Sequence, residues 1–425
     1  MNNEDVDKLK KALRAVVQQA IERELTPNQI EHAVLWWEPY SDCGSTSKTS
    51  FHTRTDYRAL VRMLHGVPEI DNLLSVSNEI RRIKWPEFVV DPTVEDLCEG
   101  YFSAARSVSL DEDLLQQTAE EFVRDVQSEE FVYVTALQVS GFSADAAFEL
   151  SDEIKFRPVT QDDIRHFGYE PLPVRDLPRL NTRDWMCVIR QTYKSDDYTA
   201  HHRSRDIWEP LIGALGLVCE GSTSFSLLSE GPASRYLSST HFGSTHQIRS
   251  SPHGNAIHLD SDGIDHYQEM FRLVRPVCDA NTKHLAPAFR RFRAAAGREV
   301  MDDKLTDLVI ALESLLVPDG RKGEIRYKFG MRGGALLPER HGGPRERRKL
   351  MQKLYDARSQ VVHESKGTAQ SEVTWLINRA TDGFRTIFKT LAQSSVGVEK
   401  SIYALDDAMV DGGNPTAAHI DLHRN

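Results

Sequence analysis

Apolar residues recur every three or four positions through most of the chain after residue 260, which is the spacing of an amphipathic helix. The clearest stripe consists of Leu305, Leu308, Val309, Leu312, Leu315 and Leu316. It predicts a helix over Leu305–Val317 that ends at Pro318-Asp319-Gly320. The same spacing predicts further helices at His266–Cys278, Leu285–Ala295, Glu324–Leu337, Glu346–Gly367 and Ala369–Leu391. We therefore expect an all-α bundle over residues 261–393 and a polar, flexible tail over residues 394–425.

The first 260 residues carry two other patterns. Residues 1–130 contain amphipathic stretches separated by prolines, which predicts a mainly helical region. These stretches are Lys8–Leu25, Tyr57–Leu64, Val94–Ala105 and Leu114–Val126. Residues 131–260 instead hold short strand-like runs, which are Phe131–Val139, Phe148–Phe156, Trp185–Thr192 and Ser224–Leu228. Two helices should interrupt them, one with Thr160 as N-cap and one over Asp206–Leu217, and Ser229–Gly254 should form a long connection. The predicted fold class is α+β: an N-terminal helical and mixed α+β region followed by a C-terminal all-α bundle.

One arginine interrupts the apolar pattern of the helix predicted from Glu346. Between Lys349 and Val362 the apolar side chains form a single stripe on a helical wheel, and Arg358 lies near the centre of that stripe. A guanidinium does not lose its proton, so burying it without partners is costly. Arg358 must therefore meet an acidic partner, an aqueous cleft or an anionic ligand.

Charge is unevenly distributed along the 425 residues, although the formal net charge is −11. From Gly320 to Arg358 there are twelve basic and four acidic residues, a balance of +8 that leaves −19 for the rest of the chain. Such a basic segment fits a polyanion such as RNA, and Arg332, Arg347, Arg348 and Lys353 are its candidate RNA-binding residues. The alternative is a solvated helix face with a mobile loop.

Several other functional classes find little support. The five cysteines show no Cys-x-x-Cys spacing, the histidines lack metal-ligand spacing, and the Ser/Thr-rich run at residues 42–50 lacks the glycine that precedes the lysine of a phosphate loop. No apolar run is long enough to cross a bilayer, and the first residues lack a signal-peptide pattern. We expect a cytoplasmic protein with no metal, no cofactor and no membrane partner.

Three stretches in the C-terminal region carry a resemblance to a known family. They are Leu305–Leu316, Glu324–Leu337 and the Arg-x4-His segment Leu354–His363. Together, over roughly residues 262–393, they resemble the HEPN superfamily and within it the Apea-like HEPN branch. The resemblance implies an antiparallel helical bundle that forms a homodimer, and in many members a metal-independent endoribonuclease.

Carried over by position, the resemblance makes Arg358 and His363 the catalytic pair, with Ser359 and Glu313 in supporting positions. It implies RNA as the partner and a toxin or phage-defence effector as the biological class, with residues 1–260 available to an unidentified regulator. The branch that is regulated by modification of a tyrosine two residues after the histidine is not matched, because that position is Ser365. The alternative is a non-catalytic HEPN module that dimerises and binds RNA or a nucleotide.

The residue types suit RNA cleavage, but their spacing raises a difficulty. Histidine titrates near neutrality and serves as base or acid, whereas arginine binds phosphate oxygens in a bidentate manner. Residues five apart on a regular helix point about 140° apart. Either the helix distorts or ends near Val362, or a partner protomer completes the site. We further expect Glu313 to pair with Arg358; the alternative is a core arginine paired with Glu313 or Asp356, with His363 capping the helix.

Overall fold

The protein has a mixed α+β fold with a C-terminal helical region, as the sequence predicts, and its structure contains an antiparallel sheet. The computed structural model describes residues 3–24, 68–80, 89–90, 97–98, 101–102, 105, 108–161, 163, 181–194, 206–232, 238–239, 247–249, 255–319, 324–363 and 370–410. The chain divides into two compact units. The first consists of Met1–Ser140, Ser151–Arg205 and Phe225–Gln247, and the second of Gly141–Leu150, Asp206–Ser224 and Ile248–Asn425.

The first unit contains a helical core. Helices α1 (Asn3–Glu22), α2 (Pro68–Ile80) and α3 (Glu112–Val126) bury their apolar faces in one cluster. The carboxylate of Asp111 accepts a hydrogen bond from the Leu114 backbone N–H and so caps α3. The predicted stretch Tyr57–Leu64 lies outside the described residues.

Strands follow the predicted runs closely. In chain order they are β1 (Val89–Val90), β2 (Glu130–Ser140), β3 (Phe142–Ala144), β4 (Phe148–Ser151), β5 (Ile154–Pro158), β6 (Trp185–Lys194), β7 (Ser224–Pro232), β8 (Ser238–Ser239), β9 (Gln247–Arg249) and β10 (Ile257–Leu259). In the first unit β5, β6, β2 and β7 lie side by side. β2 and β6 pair antiparallel from Glu130 opposite Lys194 to Val139 opposite Trp185. The run predicted over Phe148–Phe156 is two strands, and the predicted connection over Ser229–Gly254 contains short strands.

Thr160 occupies the N-cap position that the sequence predicts. Its backbone N–H donates to the Asp163 carboxylate at 2.6 Å, and its hydroxyl accepts from the Asp163 backbone N–H at 3.2 Å. This reciprocal pair is a capping box, which satisfies two backbone donors at a helix start.

The second unit is mainly helical. Its helices are α4 (Trp208–Val218), α5 (Ser261–Asp279), α6 (Leu285–Ala296), α7 (Met301–Leu316), α8 (Ile325–Leu336), α9 (Pro344–His363), α10 (Gln370–Ala392) and α11 (Val398–Val410), with a 3₁₀ turn at Glu339–His341. All six residues of the predicted Leu305–Leu316 stripe are buried. No helix of the described ranges has the length and apolar character that crossing a membrane requires.

Helix α4 belongs to this helical unit, although the sequence pattern groups it with residues 131–260. The Tyr267 hydroxyl of α5 donates to the Leu211 carbonyl of α4 at 3.0 Å. Arg385 of α10 donates to the carbonyls of Gly216 and Cys219, each at 2.8 Å. A cation at these carbonyls satisfies groups that a helix C-terminus leaves unpaired. Residue 260 is therefore not the boundary of the unit.

The prediction of a flexible tail from residue 394 is wrong for its first part. Residues Val398–Val410 form α11, and Val398, Ile402 and Leu405 on one face of it are buried. Asp406 of the same helix accepts two hydrogen bonds from Arg332 on α8. Helix α11 is thus held by both an apolar stripe and an ion pair.

Candidate functional site

Helices α7 and α9 bring Glu313 and Arg358 together. Arg358 lies toward the apolar side of α9, as its position in the stripe predicts, and Glu313 lies on the facing side of α7. The Arg358 Nη1 and Glu313 Oε2 atoms are 3.8 Å apart, and the two side chains are 29% and 27% exposed. The hypothesis that these two residues pair is therefore supported by the geometry.

This ion pair leaves hydrogen-bonding capacity unused. A separation of 3.8 Å is longer than a hydrogen bond between a guanidinium and a carboxylate. Arg358 Nε and Glu313 Oε2 are both buried atoms, and neither has a hydrogen-bond partner among the described residues. Other buried atoms of the described residues share this property, Arg347 Nε among them, so the unpaired Nε points to a ligand at Arg358 only together with the long ion pair.

The other acidic candidate for Arg358 is taken by a different arginine. Asp356 accepts two hydrogen bonds from Arg326 of α8, from Nε at 2.6 Å and from Nη2 at 2.7 Å. This bidentate geometry fits the planar fork of the guanidinium. Of the two carboxylates that the sequence offers to Arg358, only Glu313 is therefore placed to meet it.

The second half of the predicted catalytic pair lies at the end of α9. The helix extends to His363, so its backbone does not end at Val362. The side chains of residues 361–363 lie outside the described part of the chain. Over a regular helix, Arg358 and His363 are separated by about 140° around the axis. Ser359, the predicted supporting residue, is a partly exposed neighbour of Arg358 on α9.

Two of the predicted RNA-binding residues are interior, and this corrects the prediction. Arg332 is only 2% exposed. It donates to Asp406 through Nε at 3.0 Å and through Nη2 at 2.6 Å, and to the Leu316 carbonyl at 2.8 Å. Burial lowers the pKa of Arg332, but the bonds to Asp406 and the charge of Asp319 outweigh it and raise that pKa. The charge of Arg332 is therefore compensated by acidic residues inside the protein.

Arg347 is the other interior arginine. It is buried near the start of α9, and its Nη1 donates to the Leu337 carbonyl at the end of α8. That carbonyl belongs to the last residues of a helix, which need donors from outside it. Arg347 therefore ties the α8–α9 connection together, and neither it nor Arg332 is available to RNA at the surface.

The other two predicted RNA-binding residues do reach the surface, each beside an aromatic ring. The Arg348 Cζ lies 5.1 Å from the ring centre of Tyr327 on α8. The Lys353 Nζ lies 5.1 Å from the ring centre of Trp375 on α10, and Arg379 Cζ lies 5.6 Å from the same ring. Neither Tyr327 nor Trp375 is among the site residues that the sequence predicts. Exposed aromatic residues on otherwise polar helix faces were the signal that could have found them.

A further charged centre joins the 3₁₀ turn to α10. Asp382 accepts from Arg340 at 3.1 and 2.6 Å, and its Oδ2 lies 2.6 Å from His341 Nε2. The Arg379 Nη1 lies 3.3 Å from His341 Nδ1. The His341 side chain is fully buried. Burial lowers its pKa, and the cations Arg379 and Arg340 act in the same direction, while Asp382 opposes them.

Among the described residues, no group of three or more His, Cys, Asp or Glu side chains could hold a metal ion. Comparison with known proteins adds no further constraint. No family model matches the chain, and no curated protein or solved structure matches it significantly.

Proposed function

We propose that this protein is a metal-independent endoribonuclease of the HEPN type that cleaves RNA with Arg358 and His363. The observation that carries the proposal is the setting of Arg358: a permanent cation on the apolar side of α9, opposed by one carboxylate at 3.8 Å, with a buried Nε that has no hydrogen-bond partner in the described chain. An anion with two acceptor oxygens would satisfy such a guanidinium, and a phosphate is one.

The proposed reaction breaks the RNA chain by internal transesterification. The ribose 2′-oxygen loses its proton to a base and bonds to the adjacent phosphorus. The bond from phosphorus to the 5′-oxygen breaks, and that oxygen gains a proton from an acid. The products are a 2′,3′-cyclic phosphate and a free 5′-hydroxyl, with no net redox change. Arg358 would stabilise the negative charge that develops on the phosphorane oxygens.

His363 supplies the proton transfer in this scheme. An unperturbed imidazole has a pKa of about 6.5, so it can donate or accept a proton near neutrality. His363 is the last residue of α9, at the negative end of the helix dipole. We therefore assign it the acid role toward the 5′-oxygen.

Glu313 acts as a positioning residue. It lies close enough to hold the Arg358 guanidinium by charge, but too far to saturate its donors. A carboxylate at this distance keeps the guanidinium inside the bundle and still leaves N–H groups for a phosphate.

The angular separation of Arg358 and His363 on one helix favours a site shared between two protomers. A two-fold homodimer through the helical unit would place two copies of each residue in one groove, as the resemblance implies. Toxin or phage-defence activity would then need restraint, and the region before residue 260 is the natural place for a regulator to act.

The proposal is tested with purified full-length protein and a mixture of RNAs in the presence of EDTA. Wild-type protein should cleave and leave cyclic-phosphate ends, whereas Arg358→Ala and His363→Ala should each lose at least about 100-fold in rate. Matched controls are Arg272→Ala and His266→Ala, which change exposed residues of α5. Cleavage that survives both site substitutions would refute the assignment.

The same samples distinguish the nuclease from the alternative, a non-catalytic RNA- or nucleotide-binding module. The alternative requires only that an anion binds to Arg358. RNA that binds in a manner dependent on Arg358, weakens with salt and is never cut would favour this module.

A further inference from the structure

We propose that the outer face of α9 and the two aromatic rings beside it bind single-stranded RNA. The surface consists of the row Arg345, Lys349 and Lys353, which we call the α9 basic face, with Tyr327 on one side and Trp375 on the other. The inference rests on the proposed function, because it names the form of RNA that the protein would bind.

The cations of the α9 basic face form a regular row. Arg345, Lys349 and Lys353 are exposed and spaced four residues apart, so they share one side of the helix at intervals of about 6 Å. The side chains of Arg345 and Lys349 form no hydrogen bond or ion pair with any residue that the structure describes. Lys353 has one partner, Glu372, at 2.7 Å. Two of the three charges are thus available to phosphates.

Acidic residues near the α9 basic face do not neutralise its positive charge. Asp356 is occupied by the bidentate contact with Arg326, and Glu372 is opposed by Lys353. Glu346 is exposed beside Arg345 and is the remaining acid of this part of α9. The local balance stays positive on a protein whose net charge is −11.

Trp375 is the strongest feature of the surface. Tryptophan residues are mostly buried in proteins, yet Trp375 is 42% exposed. Lys353 and Arg379 both approach its ring, at 5.1 and 5.6 Å. Tyr327 repeats the arrangement at the α8 flank, where it is exposed and contacts Arg348. Two rings beside a row of cations are what a nucleic-acid strand with accessible bases requires.

The aromatic rings select for single-stranded RNA over a duplex. In a duplex the bases are stacked on each other, and only phosphates and sugars reach a protein surface of this kind. A splayed strand can instead place a base on Trp375 and its phosphates on the basic face. Lys353 and Arg358 are five residues apart and point about 140° apart around α9, so the α9 basic face is a binding surface separate from Arg358.

Binding is measured on full-length protein carrying His363→Ala, so that no RNA is cut while Arg358 stays in place. The probes are a fluorescent single-stranded oligonucleotide and the same strand in a perfect duplex, at two salt concentrations. In this background Trp375→Ala should weaken single-strand binding about tenfold, whereas Trp375→Phe, which keeps a ring, should stay within about threefold. Lys349→Ala should reduce the slope of log affinity against log salt by about 0.7.

Tyr403→Ala is the matched control, because Tyr403 is 45% exposed on a different helix, α11. It should bind RNA as the parent does. Helical circular dichroism of every variant checks that binding differences do not come from unfolding.

These binding measurements test the proposed RNA-binding surface independently of whether the protein cleaves RNA. Equal affinity of Trp375→Ala and parent, tighter binding of the duplex, or no RNA binding at low salt would each overturn the inference. Cleavage by wild-type protein alongside any of these would leave the proposed function standing. Ring-dependent binding of single strands by a protein that cuts nothing would support the surface and reject the nuclease.

Discussion

Two arginines on adjacent helices, Arg332 on α8 and Arg358 on α9, differ in how fully the protein satisfies them. Arg332 is buried and donates to Asp406 and to the Leu316 carbonyl, with Asp319 close by at 3.5 Å. Arg358 is more exposed, has one carboxylate at 3.8 Å, and retains an Nε without a partner among the described residues. Arg332 uses its hydrogen-bond donors to stabilise the fold, whereas Arg358 retains donors that a ligand could use.

This difference is a better guide to function than charge in the sequence. Both residues lie in the same basic segment, and both looked suited to a polyanion. A saturated guanidinium contributes stability and cannot bind a ligand without breaking bonds. An incompletely satisfied one costs stability and is retained where binding or chemistry compensates.

Arg332→Met should produce the largest effect, a loss of stability. The substitution removes both hydrogen bonds to Asp406 and the bond to the Leu316 carbonyl, whereas Asp319 keeps its bond from Lys328 at 2.6 Å. Because Asp406 is 35% exposed, we expect the loss to be about 2 kcal/mol or more. Arg358→Met should cost less than about 1 kcal/mol, because partly exposed pairs contribute little. Urea unfolding followed by circular dichroism measures both free energies of unfolding. Equal losses of unfolding free energy for the two variants would contradict the view that Arg332 is structural and Arg358 is not.

Glu313→Gln should tighten RNA binding by about two- to fivefold, because it removes the charge that competes with phosphate for Arg358. The amide keeps the shape of the side chain. Binding is measured at fixed salt with an uncleavable RNA analogue. In an Arg358→Ala background the substitution should have no effect. A gain that persists there would mean that Glu313 repels RNA generally and does not act through Arg358.

The smallest expected effect is a pH-dependent change in the free energy of unfolding, and it comes from His341. Its pKa is lowered in the folded state, chiefly by burial. The unfolded chain therefore takes up a proton more readily, and the stability contributed by neutral His341 is present above about pH 6.5 and declines as pH falls below that value. The free energy of unfolding of wild type relative to His341→Gln should thus fall between pH 7.5 and 5.

Much of the helical framework follows from sequence because its information is local. The stripe over Leu305–Leu316 is buried as its spacing predicts. The pairing of Glu313 with Arg358 was also predictable, since each residue lies within or at the edge of an apolar stripe and one must offset the other. Helix α11 has a similar but shorter signal in Val398, Ile402 and Leu405, which a polar context conceals.

What the sequence could not supply are contacts between distant residues. Arg332 meets Asp406, which lies 74 positions later, and nothing in either local pattern joins them. Arg385 likewise caps α4 from 169 positions away. Surface and interior arginines look the same in a helical segment until such partners are known. This is why the sequence pattern groups Arg332 and Arg347 with Arg348 and Lys353.

The contact between α8 and α9 determines which positions can vary in evolution. A Cβ atom at Gly334 would lie 2.8 Å from the backbone nitrogen of Arg348, and one at Gly330 would lie 2.7 Å from the Gln352 side chain. The first clash is with backbone, which cannot rotate away, so the two helices approach as closely as they do only because Gly334 lacks a side chain. We expect Gly334 to be invariant among homologues of this chain. That invariance would record a steric requirement, and mapping conservation onto the surface would mislead unless such glycines were first set aside.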